Sequence, residues 1–383
     1  MRTWKEYQKY LEDVYEWVEA KNIKVFKASA TDRIEFKECR RRWHFGSLSC
    51  MRLESKMPAL PLHFGTAIHA ALEAFYCKKD PVKEFIALWQ ENLDEAREMN
   101  LPEENIMLME EHLDLGVAML EGYQGYAKTA DTDWEVLNTE LEWEFPLVES
   151  DGTPLVFEFN DEIVLPMVVG RFDLIVREKK SNHIMVVDHK TSCMKFDSAE
   201  IDFNDQLPIY IWAARKIFQN ENIQAVWNQL RKKAPTIPKV LKSGGLSKDK
   251  SMDTTYDIYL KEIEKQKLNV KDYQKMLDNL HEKPQTFFER AVLYKSQAAI
   301  DQVDKNLRLE LMEMIRYSHN IEHCFPYPNR DCVWKCDYKM LCRQLQIGAN
   351  IDRLIERHYQ PRKLTGVYVS KHEIQKETKN ENN

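Results

Sequence analysis

A chain of 383 residues with 43% hydrophobic and 11% aromatic content holds enough apolar material for a large buried core, and its length fits two or three domains. A formal net charge of -7 excludes a protein that coats nucleic acid by bulk charge, so any basic contact surface has to be local. The charged, amphipathic start MRTWKEYQKYLEDVYEW argues against a signal peptide and no apolar run is long enough for a bilayer; a cytoplasmic protein with no membrane partner and eight reduced cysteines is expected.

In chain order, Trp4 to about Ala20 predicts a helix that is polar on one face. Ser29, Thr31 and Asp32 offer helix caps for the stretch that runs to Phe45, in which Arg40, Arg41 and Arg42 follow Cys39 directly. Gly65 to about Lys78 predicts a helix with Ala67, Ile68, Ala71, Leu72 and Phe75 on its apolar side, and more helix is expected from about Val82 to Lys128 with a break near Asn100-Leu101-Pro102. From Trp134 to about Asp188, β-branched and aromatic residues punctuated by turns such as Asp151-Gly152 predict strands. Within that region Val168 to Val176, a polar turn at Glu178 to Asn182, and Ile184 to Asp188 read as a β-hairpin. A helix is expected from about Asp205 to Phe218, a strand pair around Ala225 to Arg231, and a long mobile basic loop from Lys232 to Lys250. Helices return from Tyr256 to about Tyr317, cysteines crowd Cys324 to Cys342, and the polar tail from Lys371 is expected to be disordered.

The hairpin carries the chemistry. Side chains alternate faces along a strand, so Asp188 and Lys190 share a side, while Phe172, Leu174 and Val176 share one face of their strand and Asp173 takes the other. Pairing would bring Asp173 beside Asp188. Two carboxylates suit Mg²⁺ or Mn²⁺, which prefer oxygen ligands. Such an ion lowers the pKa of bound water and screens charge on a reacting phosphoryl group, and a lysine beside it can orient water or stabilise the transition state. The backbone carbonyl of His189, between Asp188 and Lys190, is a further candidate ligand.

The Gly170-Arg171-Phe172-Asp173 strand followed by an apolar strand ending in Asp188-His189-Lys190-Thr191 resembles the PD-(D/E)XK nuclease core, with Asp173 as first acid, Asp188 as second and Lys190 as lysine. Gln206-Leu207-Pro208-Ile209-Tyr210 resembles the Gln-x-x-x-Tyr motif of the RecB-like branch, and its spacing puts Gln206 and Tyr210 on one helix face. Gly65-Thr66-Ala67-Ile68-His69 resembles the Gly-x-x-x-His helix of the same branch, which implies His69 as a metal ligand. Phe172 stands where the family carries proline, and the second acid is Asp rather than Glu. Glu140, in the strand before the hairpin, is a candidate for a further site carboxylate but is expected as an exposed strand residue. The resemblance implies an α/β fold with a mixed central β-sheet flanked by helices. On it, residues 1–130 form a helical N-terminal region, 131–255 the nuclease core with its basic loop, 256–370 a helical C-terminal region and 371–383 the tail.

Cys332-Val-Trp-Lys-Cys336 and Cys342 form a tight thiol cluster suited to a soft metal, one ligand short of a closed site. Cys39 and Cys324 are both available as the fourth, and spacing alone does not separate zinc from iron. The resemblance extends to RecB-like exonucleases with one cysteine before the core and three after it. It implies a four-iron four-sulfur cluster on Cys39, Cys332, Cys336 and Cys342, structural in role. Cys50, Cys77 and Cys193 read as plain thiols.

Arg231, Lys232, Lys233, Lys239, Lys242, Lys248 and Lys250 are a local basic stretch suited to phosphates, and Trp43, Phe45, Trp212 and Trp227 are aromatics to weigh as base platforms or as core. No base-reading motif or Walker P-loop is present, so a helicase or recombination motor would be a partner chain. The expectation is a metal-dependent deoxyribonuclease, an exonuclease on single strands or ends of DNA in recombination, repair or phage DNA processing. Its compact core and Lys-Ser-Gly-Gly-Leu-Ser loop are similar to phage-encoded members. The alternative is a DNA-binding or nuclease subunit of a larger helicase–nuclease or CRISPR-adaptation complex.

Overall fold

The computed structural model describes residues 4–56, 60–220, 222–282, 286–334 and 336–362; the tail expected to be disordered lies outside them. The chain opens with α1 (Trp4–Ala20), β1 (Lys24–Ser29) and α2 (Ala30–Glu38). A capping box makes the turn from β1 into α2: the Ser29 hydroxyl accepts from the Asp32 N–H at 3.1 Å, and the Asp32 carboxylate accepts from the Ser29 N–H at 3.0 Å. Cys39 is extended (φ -160°, ψ 106°) and separates α2 from α3 (Arg40–Gly46), so a cysteine occupies the joint between two helices.

After β2 (Leu53–Ser55) come α4 (Leu60–Tyr76), α5 (Pro81–Glu98) and α6 (Glu103–Ala130). The expected break falls between α5 and α6, where Asn100 is left-handed at φ +53°. Then follow β3 (Trp134–Pro146), β4 (Phe157–Phe159), β5 (Glu162–Glu178), β6 (Ile184–Ser192), α7 (Ala199–Asp202), α8 (Leu207–Phe218) and β7 (Ile223–Arg231). The C-terminal part adds α9 (Tyr256–Lys265), α10 (Gln274–Glu282), β8 (Phe288–Leu293), α11 (Gln297–Ser318), α12 (Asp331–Trp334), α13 (Lys339–Gln346), α14 (Asp352–His358) and β9 (Tyr359–Pro361).

One mixed sheet runs β1–β5–β6–β7–β8, with β3 and β4 also paired to β5. The long strand β5 organises it. Val168 pairs with both β1 and β3, and Leu174 with both β3 and β6, so β1 and β6 occupy the same edge of β5 in succession. The parallel β1 ladder stops at Val169 and the antiparallel β6 ladder starts at Leu174. Gly170 to Asp173 therefore face a split in the sheet. β6 and β7 are parallel along nine residues each, joined by the crossover through α7 and α8.

Helices cover both faces. Phe172, Ile175 and Val186 pack with Tyr210 and Ile211 of α8 and Leu307 and Leu311 of α11. Leu174, Val176, Met185 and Val187 pack with α4, α5 and α6 through Ile68, Leu72, Trp89 and Leu120. Four strands sit in regions expected to be helical, the short pair β2 and β9 and the sheet strands β1 in the N-terminal region and β8 in the C-terminal one. The sheet strands are six residues each between helices, too short to stand out by period. The strand pair expected near Ala225 is instead the single strand β7, flanked by β6 and β8.

Residues 232–250 carry no helix or strand, yet they are pinned rather than loose. Val240 and Leu246 form a bridge, Leu246 is buried with Tyr259 and Tyr273, and its N–H donates to the Tyr273 hydroxyl at 3.0 Å. At the far end β9 pairs antiparallel with β2, and Leu341, Ile351 and Tyr359 form a small core with Phe45 and Leu53. No helix among the described residues is long and apolar enough to cross a membrane.

Candidate active site

The split in the sheet makes the site. Leu174 and Val187 are the last rung of the β5–β6 ladder, and Asp173 and Asp188 stand one step beyond it. There the Asp173 Oδ2 atom accepts the His189 backbone N–H at 2.8 Å, so a carboxylate tethers the diverging strands. Side-chain alternation also switches at this point. Phe172 packs beneath α8, whereas Leu174 and Val176 pack against α4–α6, which corrects the expectation that all three share a face. On β3, Glu140 lies between the pairs Thr139–Leu174 and Leu141–Phe172 and is left-handed at φ +48°. A left-handed non-glycine residue costs roughly 1–2 kcal/mol, and the strained one here faces Asp173.

Helix α4 buries Phe64, Ala67, Ile68, Ala71 and Leu72 and turns His69 toward the strands, with Nδ1 3.4 Å from Asp173 Oδ2. Burial pulls the His69 pKa down, but the facing Asp173 outweighs it and the net shift is upward. Burial pushes the Asp173 carboxyl up; His69 and the His189 N–H overcome this and hold it below the usual carboxylate range. Asp188 is fully enclosed, and burial raises its pKa despite the opposing Lys190 ammonium.

Lys190 is held from two sides. Its Nζ donates to Asp188 Oδ1 and to Gln206 Oε1, each at 3.0 Å. Gln206 is held in turn: its Nε2 donates to the Tyr210 hydroxyl at 2.6 Å, and Tyr210 stands edge-on to Phe172 at 5.3 Å. Burial raises the Tyr210 pKa far above its ordinary value, so this hydroxyl stays protonated. The other oxygen of Asp188, Oδ2, is 2.9 Å from Lys190 Nζ but accepts no directed hydrogen bond, although it is buried. The ammonium compensates its charge, but no directed donor occupies its lone pairs. This oxygen is the donor that a divalent cation would satisfy, with Asp173, His69 and the His189 carbonyl as neighbouring candidates.

His189 has a second task that the sequence reading missed. Its ring points to the opposite face, buried, and burial pushes its pKa down to about 3. It stacks on Tyr76 at 5.8 Å with an interplanar angle of 9° and meets Asn228 Nδ2 at 2.7 Å through Nδ1. Asn228 Oδ1 accepts from Arg290 Nε at 2.8 Å, while Arg290 also binds Asp131 and the Tyr123 hydroxyl. This buried network fixes the peptide whose N–H tethers Asp173. Asn228 was visible as a polar residue inside the apolar run Ala225-Val-Trp-Asn-Gln-Leu; Arg290 and Tyr123 gave no such signal.

Glu140 is not the exposed strand residue expected. Its side chain is 16% exposed, pairs with Arg171 at 2.6 Å, and is pushed up to about 7 by burial, against the pull of Arg171.

Part of the basic stretch is spent locally, while Lys239, Lys242 and Lys250 are exposed. Arg231 and Lys233 lie 3.0 Å and 2.6 Å from Asp253, and Lys248 donates to the Asp272 carbonyl at 2.8 Å. Lys232 lies over the Phe64 ring, and Lys242 is exposed. Trp43, Phe45 and Trp212 are core residues, whereas Trp227 is half-buried with its ring 5.7 Å from Lys190 Nζ.

Segments far apart in the chain meet at the cysteines. Burial pushes the Cys336 thiol up to about 11, and Cys39 and Cys332 add to the rise at both Cys336 and Cys342, so these four thiols share one neighbourhood. Arg41 Nη1 approaches Cys342 Sγ at 4.0 Å. Cys324 is buried and donates its S–H to the Tyr317 carbonyl at 3.3 Å, and Cys39 adds to the rise of its thiol as well, so it adjoins the same group. Among the described residues no three His, Cys, Asp or Glu side chains are drawn in tightly enough to enclose an ion, at the cysteines or at the strand split.

No curated protein matches this chain. A family model described as the PD-(D/E)XK nuclease superfamily matches residues 27–343, a span that runs from β1 through the sheet split to α13. With that span covering most of the chain and the two acids and the lysine at the split, this protein belongs to the PD-(D/E)XK nuclease superfamily.

Proposed function

We propose that this nuclease is a metal-dependent deoxyribonuclease of the RecB-like branch, an exonuclease on single-stranded DNA or DNA ends in recombination, repair or phage DNA processing. The observation that carries this reading is the grouping of Asp173, Asp188 and Lys190 at the split, with His69 on one side and Gln206–Tyr210 on the other. His69, Asp173, Asp188 and the His189 carbonyl would hold Mg²⁺ or Mn²⁺, and the buried, unbonded Oδ2 of Asp188 fits such an ion. When bound, the ion supplies charge neutralisation at the phosphate and acidifies water.

This chain's own residues do the rest. Asp188 and Gln206 aim the Lys190 ammonium at one point, so the cation is preorganised rather than recruited. Protonated Tyr210 keeps the Gln206 amide in one orientation. The His189 N–H keeps Asp173 Oδ2 in place at the split.

Cys39, Cys332, Cys336 and Cys342 would hold a four-iron four-sulfur cluster, supported by their shared neighbourhood, with Cys324 as the alternative fourth ligand. Zinc is the competing occupant. Purified protein that is brown and bleached by dithionite favours iron; colourless, zinc-containing protein favours zinc.

The activity test uses end-labelled linear DNA and covalently closed circles with Mg²⁺ or Mn²⁺. Wild type should degrade linear DNA from its ends and spare circles, and Asp188→Ala should be inactive. Equal cutting of circles would overturn the exonuclease assignment, and full activity in Asp188→Ala would overturn the site.

A further inference from the structure

A cleft of about 370 Å³ opens beside the catalytic group, between α2, the segment around α7 and β7. Its lining includes Trp227, Phe203, Asn204 and Asp205. Trp227 is the residue whose ring faces Lys190 Nζ, and Asn204 caps α8 by accepting from the Gln206 and Leu207 N–H groups at 2.9 Å and 2.7 Å. The cleft is therefore contiguous with the lysine and glutamine of the site. Phe203 is 89% exposed, a large aromatic ring left in water at the mouth of a cavity. Leaving such a ring uncovered forfeits its burial, and neither the fold nor the catalytic geometry uses it.

The charge of the lining selects the occupant. Glu38, Asp197, Glu200 and Asp205 line the cleft; Asp205 is paired with Lys37 and Arg33 and Glu38 with Arg42, so Asp197 and Glu200 are the carboxylates that set the charge met by an occupant. Such a wall repels a phosphodiester but accepts hydrogen bonds from exocyclic amino groups of bases. An aromatic platform, carboxylate acceptors and a position next to Lys190 suit a flat, neutral ring with amino donors. A base locked in a duplex cannot enter.

We propose that this cleft is a subsite for one unpaired DNA base, stacked against Phe203 and Trp227 next to the phosphate handled at Lys190. The inference rests on the nuclease reading and narrows its substrate to single-stranded DNA at this position. Base–aromatic stacking tolerates any sequence, so one base is fixed in place without being read.

The test measures binding, which separates it from turnover. Oligodeoxynucleotides with 2-aminopurine at successive positions are titrated with wild type and with Phe203→Ala in Ca²⁺ buffer. One position should be quenched by wild type, and Phe203→Ala should lose that quench and bind about tenfold more weakly. Phe203→Trp should restore both. An abasic site at that position should erase the difference between wild type and Phe203→Ala, and a fully paired duplex should bind both alike. The melting temperature of Phe203→Ala should be unchanged, because the ring is exposed. Single-strand binding by Phe203→Ala within twofold of wild type overturns the subsite, whether Phe203 serves a protein partner or nothing. An equal loss on duplex DNA also overturns it. If wild type quenches the base yet hydrolyses no DNA, the subsite stands and the catalytic reading falls.

Discussion

At the residue scale the site trades stability for readiness. Asp188 is buried with its pKa raised, so the folded protein holds that proton more tightly than the unfolded chain does. The metal-free protein therefore loses stability as pH rises through the folded pKa of Asp188. Replacing it by Asp188→Asn should raise the melting stability of metal-free protein at neutral pH by about 1 kcal/mol while lowering turnover by at least about 10²-fold. Calorimetry with EDTA and single-turnover cleavage check the two halves. Added Mn²⁺ should raise the melting temperature of wild type and not of the variant. His189 has the opposite sign. Its folded pKa is pushed down to about 3, so the stability it contributes is present above its unfolded value and is lost as pH falls toward 3. At full extent this is worth roughly 5 kcal/mol. Melting temperature against pH should therefore fall steeply between about 6 and 3, and His189→Gln should flatten that limb; a parallel limb would remove His189 as its source.

Among the elements, glycines separate packing from motif. A methyl group on Gly116 of α6 would sit 2.0 Å from the fully buried Phe85 ring, which cannot give way. Gly116→Ala should cost about 1–3 kcal/mol by urea denaturation. Gly65, the first residue of the His69 motif, meets only Thr191 Oγ1, at 3.6 Å. Gly65→Ala should be neutral or gain up to about 1 kcal/mol from helix propensity. Equal losses in both would refute this account of α4 and α6. Elements with a strong period were legible from sequence: α1 matches Trp4 to Ala20 as expected, and the α5–α6 break falls at Asn100-Leu101-Pro102. The acid–lysine group was legible because strand alternation is local. What escaped was non-local. β1 and β8 are strands only because β5 and β7 accept them as partners. The switch in alternation between Phe172 and Leu174 falls opposite a left-handed Glu140 one strand away. Arg290 reaches His189 through Asn228 and through the Tyr123–Tyr76 pair, across the sheet.

For the whole molecule, residues 39–55 and residues 332–361 are brought together twice, by the β2–β9 pair and by the thiol neighbourhood of Cys39 with Cys332, Cys336 and Cys342. A cross-link between residues so far apart in sequence removes much freedom from the unfolded chain. Cys336→Ser should lower stability by several kcal/mol and reduce soluble yield. Turnover per folded, DNA-competent molecule should stay within about twofold, since no cysteine is among the groups that hold Asp173, Asp188 and Lys190. Active-site titration beside thermal melting measures both; lost turnover with unchanged melting would contradict a purely structural role.

The pinned segment between β7 and α9 has one more consequence. A peptide bond cut near Lys242 would leave the first fragment with β1 to β7 and the second with β8, β9 and α9 to α14. Each would expose a row of unmet sheet and helix contacts to the other, because β8 completes β7, β9 completes β2 and α11 lies beneath α8. The nicked nuclease should migrate through gel filtration as a single particle and come apart only in denaturant. The two halves, expressed from separate messages, should find each other and rebuild a working enzyme.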